Sequence, residues 1–152
     1  MLGNLSRRLR WLGYDAEYRN DLPDEEMMRI AREESRLLVT RDRALAGRRG
    51  VHALFIAATD LDAQVQAVVA ALGPSHGSTR CTVCNGELEP LSPEQAAPLV
   101  PPYVARTQTD FVRCRRCLRV YWPGTHWSGL QVWGERADAR HVDDQREETS
   151  PG

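Results

Sequence analysis

The chain has 152 residues, 41% of them hydrophobic, and a formal net charge of −1 at pH 7. This length allows one ordinary domain, or a small domain followed by a very small one that disulfides or a metal stabilise. The net charge gives no global electrostatic signature for nucleic acid. No stretch approaches the ~18 apolar residues of a transmembrane helix, and no apolar segment follows the first arginines to make a signal peptide, so we predict a cytoplasmic protein.

The N-terminal residues predict a helix and then a strand. Residues 1–13 carry a leucine stripe typical of an amphipathic helix, and Gly13 is well placed to end it. Arg7 and Arg8 lie largely off this stripe, where they form either a phosphate-binding face or a solvated one. Residues 14–19 alternate weakly and predict a strand.

Two acids then stand beside predicted elements. Asp24 follows Pro23 at the start of a second helix, where acids suit the positive end of the helix dipole, so a first-turn role is its local interpretation. Asp42 ends residues 36–42 (RLLVTRD), whose apolar run predicts a strand buried on both faces. A carboxylate at the carboxyl end of such a strand can hold a hard cation such as Mg²⁺, but it can equally N-cap the next short helix.

Further along, residues 51–57 predict a second buried strand, and residues 60–72 predict a helix that Gly73 ends. Helices that alternate with strands predict an α/β fold, with an at least partly parallel sheet flanked by helices. Residues 74–78 have the composition of a linker. The sequence after them is rich in Cys, Pro, Trp and Tyr, so we place a domain boundary there.

Four cysteines occur as two CxxC pairs, Cys81 with Cys84 and Cys114 with Cys117, separated by 29 residues. Two such turns can complete a tetrahedral shell of thiolates around Zn²⁺, and the spacing is that of a zinc ribbon. Disulfides and a redox CxxC are the alternatives. A closed Cys₄ shell is structural, and the wide gap requires residues 92–110 to loop out.

The second cysteine turn is basic and lies close to aromatic residues. A platform for single-stranded nucleic acid combines both kinds of side chain, so we predict that the arginines contact nucleic-acid phosphates. The aromatic residues can instead be buried against the first domain, because a ribbon has little core of its own. The residues in question are Arg113, Arg115, Arg116 and Arg119, with Tyr121, Trp122, His126 and Trp127.

Three segments resemble an RNase domain family named for the C-terminal region of the mut-seven exonuclease. They are MLGNLSRRLRWLGYDAEY, then PDEEMMRIAREESRLLVTRDRALAGR, then the two CxxC pairs with CLRVYWPGTHW. The resemblance runs from Met1 to about Trp133. It implies a PIN-like nuclease domain followed by a zinc ribbon.

The resemblance also implies a metal-dependent ribonuclease. PIN-like nucleases gather carboxylates around Mg²⁺ or Mn²⁺ ions, which activate a water and stabilise the leaving oxygen. Asp42 matches the acid of the family's TRD motif, and Asp24 matches the acid that opens the second helix. Asp15 matches the acid of the GYD motif, for which a structural role stands beside a catalytic one. Arg41 is expected to meet a phosphate of the RNA.

In this family an apolar strand ending in a metal-binding acid precedes the MLG motif, whereas this sequence starts at Met1. Either the true start lies upstream, or the chain is a degenerate form. We therefore predict a PIN-like parallel sheet without its first strand. The leading function is a Mg²⁺- or Mn²⁺-dependent ribonuclease, and the alternative is a catalytically incomplete RNA-binding or regulatory module.

Four regions follow from these features. They are a PIN-like RNase domain at residues 1–73, a linker at 74–78, a zinc ribbon at 79–133, and a disordered polar tail at 134–152 that lacks apolar periodicity.

Overall fold

The computed structural model describes residues 2–123, which fall into two compact units. Unit 1 comprises Met1–Leu9 and Ala16–Ser75, and unit 2 comprises Arg10–Asp15 and His76–Gly152. The predicted tail, residues 124–133 of the predicted ribbon, His126 and Trp127 lie outside the described residues. Within residues 2–123, no helix has the length and apolarity needed to cross a membrane.

Unit 1 alternates helices with two short strands. Helix α1 begins in this unit and ends in the segment that belongs to unit 2. The elements are α1 (Gly3–Trp11), α2 (Asp24–Glu33), β1 (Leu38–Thr40), α3 (Arg43–Ala46), β2 (Ala53–Phe55) and α4 (Leu61–Leu72).

The two strands of unit 1 form a parallel sheet. Leu38 pairs with Ala53 and Thr40 pairs with Phe55, so both strands end at the same edge. Parallel strands need a crossover between them, and α3 lies in that connection. The helices and strands enclose a buried apolar core, made of Leu5, Leu9, Met28, Ala31, Leu45, Ile56 and Val68.

This arrangement confirms a mixed α/β fold with a small parallel sheet, while the PIN-like topology stays a prediction. The prediction of a strand at residues 14–19 was wrong, because that stretch has no strand geometry. It lies where the chain passes between the two units, and its alternation was too weak to specify a strand.

Unit 2 holds a three-stranded antiparallel sheet in the order β3–β4–β5. Its strands are β3 (Leu88–Leu91), β4 (Phe111–Cys114) and β5 (Val120–Tyr121). The zinc-ribbon pattern predicts strands at residues 86–88, 111–113 and 119–122. Strand β3 begins two residues later than the first of these segments and runs beyond it, and the other two segments overlap β4 and β5.

The segment expected to loop out between the cysteine pairs is largely helical. It contains α5 (Pro93–Ala96), a 3₁₀ turn (Ala97–Leu99) and α6 (Pro102–Thr107). A capping box starts α5, since the Ser92 hydroxyl accepts from the Gln95 N–H and the Gln95 side chain accepts from the Ser92 N–H. A small apolar core underlies this insertion, made of Leu91, Ala96, Val100 and Phe111.

Candidate functional site

The first cysteine pair lies on a tight turn closed by two backbone hydrogen bonds. The N–H of Asn85 donates to the carbonyl of Cys81 at 2.9 Å, and the N–H of Cys81 donates to the carbonyl of Gly86 at 2.8 Å. Asn85 has φ 68°, a left-handed conformation that asparagine tolerates better than most residues. This turn brings Cys81 and Cys84 close together.

The second pair repeats this geometry. The N–H of Leu118 donates to the carbonyl of Cys114 at 3.0 Å, and the N–H of Cys114 donates to the carbonyl of Arg119 at 2.9 Å. Leu118 occupies the left-handed region at φ 65°, at the position that Asn85 takes in the first turn. We call these turns the first and second knuckle, residues 81–86 and 114–119.

The knuckles bring all four sulfur atoms into one cluster. The Sγ atoms of the four cysteines lie within 4.8 Å of one another, and none is in a disulfide. The Cys84–Cys114 and Cys81–Cys117 sulfurs are 3.4 and 3.7 Å apart. A tetrahedral ZnS₄ centre with ~2.3 Å bonds has S···S edges of about 3.8 Å. The cluster therefore fits a structural zinc site with a closed thiolate shell.

Several donors face these sulfurs. Burial opposes ionisation of Cys114, but the backbone N–H groups of Cys117 and Arg116 outweigh it and lower the pKa to about 7. Burial together with hydrogen bonding to Cys114 raises the pKa of Cys84 to about 12. The hydroxyl of Tyr121 lies 3.0 Å from the sulfur of Cys81, where it can donate to a thiolate. The shell thus includes preformed donors for the charged, metal-binding state.

Zinc affinity is expected to fall steeply as the pH is lowered below about 8.5, the ordinary pKa of a cysteine thiol. Zinc binds thiolates, so protons leave as it binds. If zinc-free unit 2 is unfolded, as we expect for so small a core, its four cysteine thiols are largely protonated below this pH, and log Kd should rise by up to about four for each pH unit lost. Competition with a chromophoric chelator between about pH 6 and pH 8.5 measures this dependence, and an affinity that stays constant over the range would contradict it.

In unit 1, the acid at the end of β1 caps a helix. The Oδ1 atom of Asp42 accepts from the N–H groups of Ala44 at 2.8 Å and Leu45 at 3.2 Å, at the start of α3. The carboxylate is exposed. Because both capping bonds reach Oδ1, atom Oδ2 can bind a cation while the cap is kept. The two interpretations of Asp42 are therefore compatible.

Substitution at Asp42 should separate the cap from the charge. Asp42→Ala removes the acceptor and is expected to destabilise unit 1 by about 1 kcal/mol, whereas Asp42→Asn keeps an equivalent acceptor and should cost little. Urea unfolding followed by circular dichroism checks both variants. Equal stability of the Ala and Asn variants would show that the capping bonds contribute nothing.

The other residues predicted for catalysis lie on different segments of the chain. Asp24 is exposed in the first turn of α2. Arg41 donates from Nη1 to the carbonyl of Ala58 at 2.7 Å, which ties the end of β1 to the loop after β2. Asp15 belongs to unit 2, where its Oδ1 accepts from the Asn85 side-chain amide at 2.6 Å. Among the described residues, three or more metal-ligating groups come together only at the cysteines. The roles of these acids stay predictions.

Most of the predicted phosphate-binding arginines have protein partners. Arg113 and Arg115 both pair with Glu89, at 3.0 and 3.5 Å. Arg116 donates to the carbonyl of Cys84 at 3.1 Å, and Arg119 is exposed. In unit 1, Arg8 lies 3.4 Å from Asp62 and Arg7 is exposed. Binding of RNA by these arginines stays a prediction.

The sequence did not reveal that the segment 10–15 packs against the sulfur cluster. Trp11 is 1% exposed and forms one buried cluster with Cys81, Cys114 and Tyr121. Its ring lies 6.3 Å from that of Tyr121 at an angle of 56°. The repeating leucines of residues 1–13 indicated only a helix, and no local pattern linked Trp11 to Cys81 and Cys114, which lie 70 and 103 residues further along the chain.

Comparison with known proteins identifies the family. The model of the Mut7-C RNAse domain family matches residues 1–133 of the 152. The chain therefore belongs to the Mut7-C RNAse domain family, as the resemblance of its motifs implied. No curated protein and no solved structure matches the chain.

Proposed function

We propose that this member of the Mut7-C RNAse domain family is a divalent-metal-dependent ribonuclease that hydrolyses phosphodiester bonds of single-stranded RNA. The family match over residues 1–133 is the observation that carries the proposal. It is supported by the exposed carboxylate of Asp42, which follows the carboxyl end of a parallel strand where ligands of open α/β sheets gather. Cytoplasmic localisation stays a prediction from the sequence.

In this proposal Asp42 and Asp24 bind Mg²⁺ or Mn²⁺, whose oxygen preference suits carboxylates. When bound, such an ion lowers the pKa of a water and stabilises charge on the leaving oxygen. Asp42 would use Oδ2, since Oδ1 accepts the two capping bonds. Arg41, next to Asp42 in the chain, would orient a phosphate with N–H groups other than the one that donates to Ala58.

RNA binding is proposed to involve the second knuckle. Arg115, Arg116 and Arg119 are exposed there, and one acid, Glu89, pairs with both Arg113 and Arg115. Each arginine that contacts a phosphate of single-stranded RNA should contribute ~0.7 to the slope of log K against log salt concentration. Zinc has a structural role in this scheme, since it would hold the knuckle that presents these side chains.

A second function belongs to another class, a zinc-stabilised RNA-binding module without catalysis. One observation favours it: within residues 2–123, Asp24 and Asp42 join no group of three or more metal ligands. Such a protein would bind RNA through the knuckle arginines and leave it intact. Its binding would fall with rising salt in the same way.

Cleavage of labelled single-stranded RNA by the zinc-loaded full chain tests the proposal. We expect cleavage with added Mn²⁺ or Mg²⁺ and a loss of at least about tenfold in Asp42→Asn, which keeps the helix cap. Asp62→Asn is the matched control, because Asp62 is an exposed acid in the first turn of α4. Omission of the divalent ion is a better metal control than EDTA, which also extracts zinc.

The same RNA separates the two functions. Binding without cleavage, weakened in an Arg115→Gln/Arg119→Gln double variant, would replace the enzyme with the binding module. Arg49→Gln is a suitable control, since it removes an exposed arginine from unit 1. If the protein neither binds nor cleaves this RNA, both functions are rejected.

A further inference from the structure

We propose that Arg10 and Asp15 are positioning residues of the zinc site. They hold the first knuckle from its two sides, so zinc retention and the order of residues 10–15 depend on each other. All of the residues concerned belong to unit 2. The proposal is independent of ribonuclease activity, and it assigns to Asp15 a role other than binding a catalytic metal.

Arg10 holds the turn between the two cysteines. It is 6% exposed, and its Nη1 donates to the carbonyl of Thr82 at 2.8 Å and approaches that of Val83 at 3.5 Å. These are the two residues that separate Cys81 from Cys84. A buried guanidinium needs acceptors, and charge-assisted bonds to carbonyls are stronger than neutral ones. The Arg10 side chain therefore orients the part of the first knuckle that connects Cys81 to Cys84.

The main chain of the same segment holds the residues that lead into the knuckle. The N–H of Arg80 donates to the carbonyl of Arg10 at 2.8 Å, and the hydroxyl of Thr79 donates to the carbonyl of Trp11 at 2.9 Å. Thr79 is buried, so this bond is shielded from water. These contacts fix the register of residues 79–80 directly before Cys81.

Asp15 acts on the other side of the knuckle. Its carboxylate accepts from the Asn85 amide at 2.6 Å, and Asn85 is 1% exposed at φ 68°. Arg80 links the two residues, since its Nε donates to the Asn85 carbonyl at 3.0 Å and its Nη2 lies 4.0 Å from Asp15. The bond from the Asn85 side chain to the Asp15 carboxylate stabilises the left-handed conformation of Asn85. The hydrogen bonds of the first knuckle depend on that conformation.

Partners of this kind commonly orient metal ligands, and their loss costs about 10- to 100-fold in metal affinity. The linkage is reciprocal, because binding that stabilises the knuckle also stabilises the segment attached to it. Zinc should therefore protect the amides of residues 10–15 from hydrogen exchange. A role of Asp15 at a catalytic metal predicts no change of zinc affinity when Asp15 is replaced.

The test compares Asp15→Ala with wild type in the zinc-loaded full chain. Zinc transfer to a chromophoric chelator at fixed pH should be about 10- to 100-fold faster in Asp15→Ala, and Asp15→Asn, which keeps an acceptor, should recover part of this loss. Asp110→Ala is the control, because Asp110 is an exposed acid directly before β4 in the same unit. Hydrogen exchange of residues 10–15 in the zinc-loaded proteins provides a second readout, and it should be faster in Asp15→Ala than in wild type or in Asp110→Ala.

Asn85→Gly keeps the left-handed turn and removes the amide. It should release zinc faster than wild type, and combining it with Asp15→Ala should add little, since both substitutions remove the bond between Asp15 and Asn85. Wild-type zinc release in Asp15→Ala, additive effects in the double variant, or zinc-independent exchange of residues 10–15 would each overturn the proposal. If Asp15→Ala does not fold, Asp15→Asn against Asn85→Gly gives the same comparison.

Discussion

Extraction of zinc from the full chain is expected to unfold unit 2 and to leave unit 1 folded. The sheet of unit 2 has three short strands, and Cys81 and Cys114 are themselves 0% exposed members of its core with Trp11 and Tyr121. Without metal, four thiol groups crowd together with nothing to bridge them. Structural zinc contributes an apparent ~10–16 kcal/mol in zinc-finger peptides at neutral pH, more than so small a core supplies.

Hydrogen exchange resolved by region measures this outcome. Chelation should remove protection from residues 79–91 and 110–122, while helices α2 and α4 of unit 1 keep theirs. Cys114→Ser should reproduce the loss in the presence of zinc, and Arg115→Gln, on the same knuckle but outside the shell, should not. A chelated protein that kept its protection in unit 2 would show that the apolar core suffices. Recovery with Mg²⁺ alone would equally contradict a thiolate site.

Local patterns in the sequence were enough to predict most elements of unit 1 and the clustering of the four cysteines. The spacing of the cysteines predicted their cluster because each pair needs only one tight turn. Asp42 was predicted at a strand end or a helix cap, and the cap is present because its acceptor lies beside its own helix. The Gly73 stop of α4 likewise depends on a single residue, which has φ 81°.

Contacts between distant residues were not predictable in this way. The bond between Asp15 and Asn85 joins positions 70 apart, and the motif match for Asp15 left a structural and a catalytic role open because nothing local distinguished them. The helices between the cysteine pairs did carry signals that were overlooked. Ser92 with Gln95 is a capping box, and Pro102 stands at the first position of α6, where proline is favoured.

A methyl group added at Gly86 is expected to destroy the zinc site. A Cβ atom there would lie 2.7 Å from the sulfur of Cys114 and 3.1 Å from that of Cys84, with the Cβ of Arg116 at 3.0 Å. Both sulfurs are proposed zinc ligands, so neither can move away without leaving the metal. Gly86→Ala should therefore weaken zinc binding by more than the ~10- to 100-fold expected for loss of a supporting hydrogen bond.

Zinc content after dialysis and competition with a chelator measure this effect. Gly47→Ala is the matched control, because a Cβ at Gly47 meets only backbone atoms at 3.6 Å or more and its φ is −85°. That variant should bind zinc as wild type does. Wild-type zinc affinity in Gly86→Ala would mean that the knuckles can separate while all four thiolates stay bound. The close approach of the two turns at Gly86 would then not be a requirement of the metal centre.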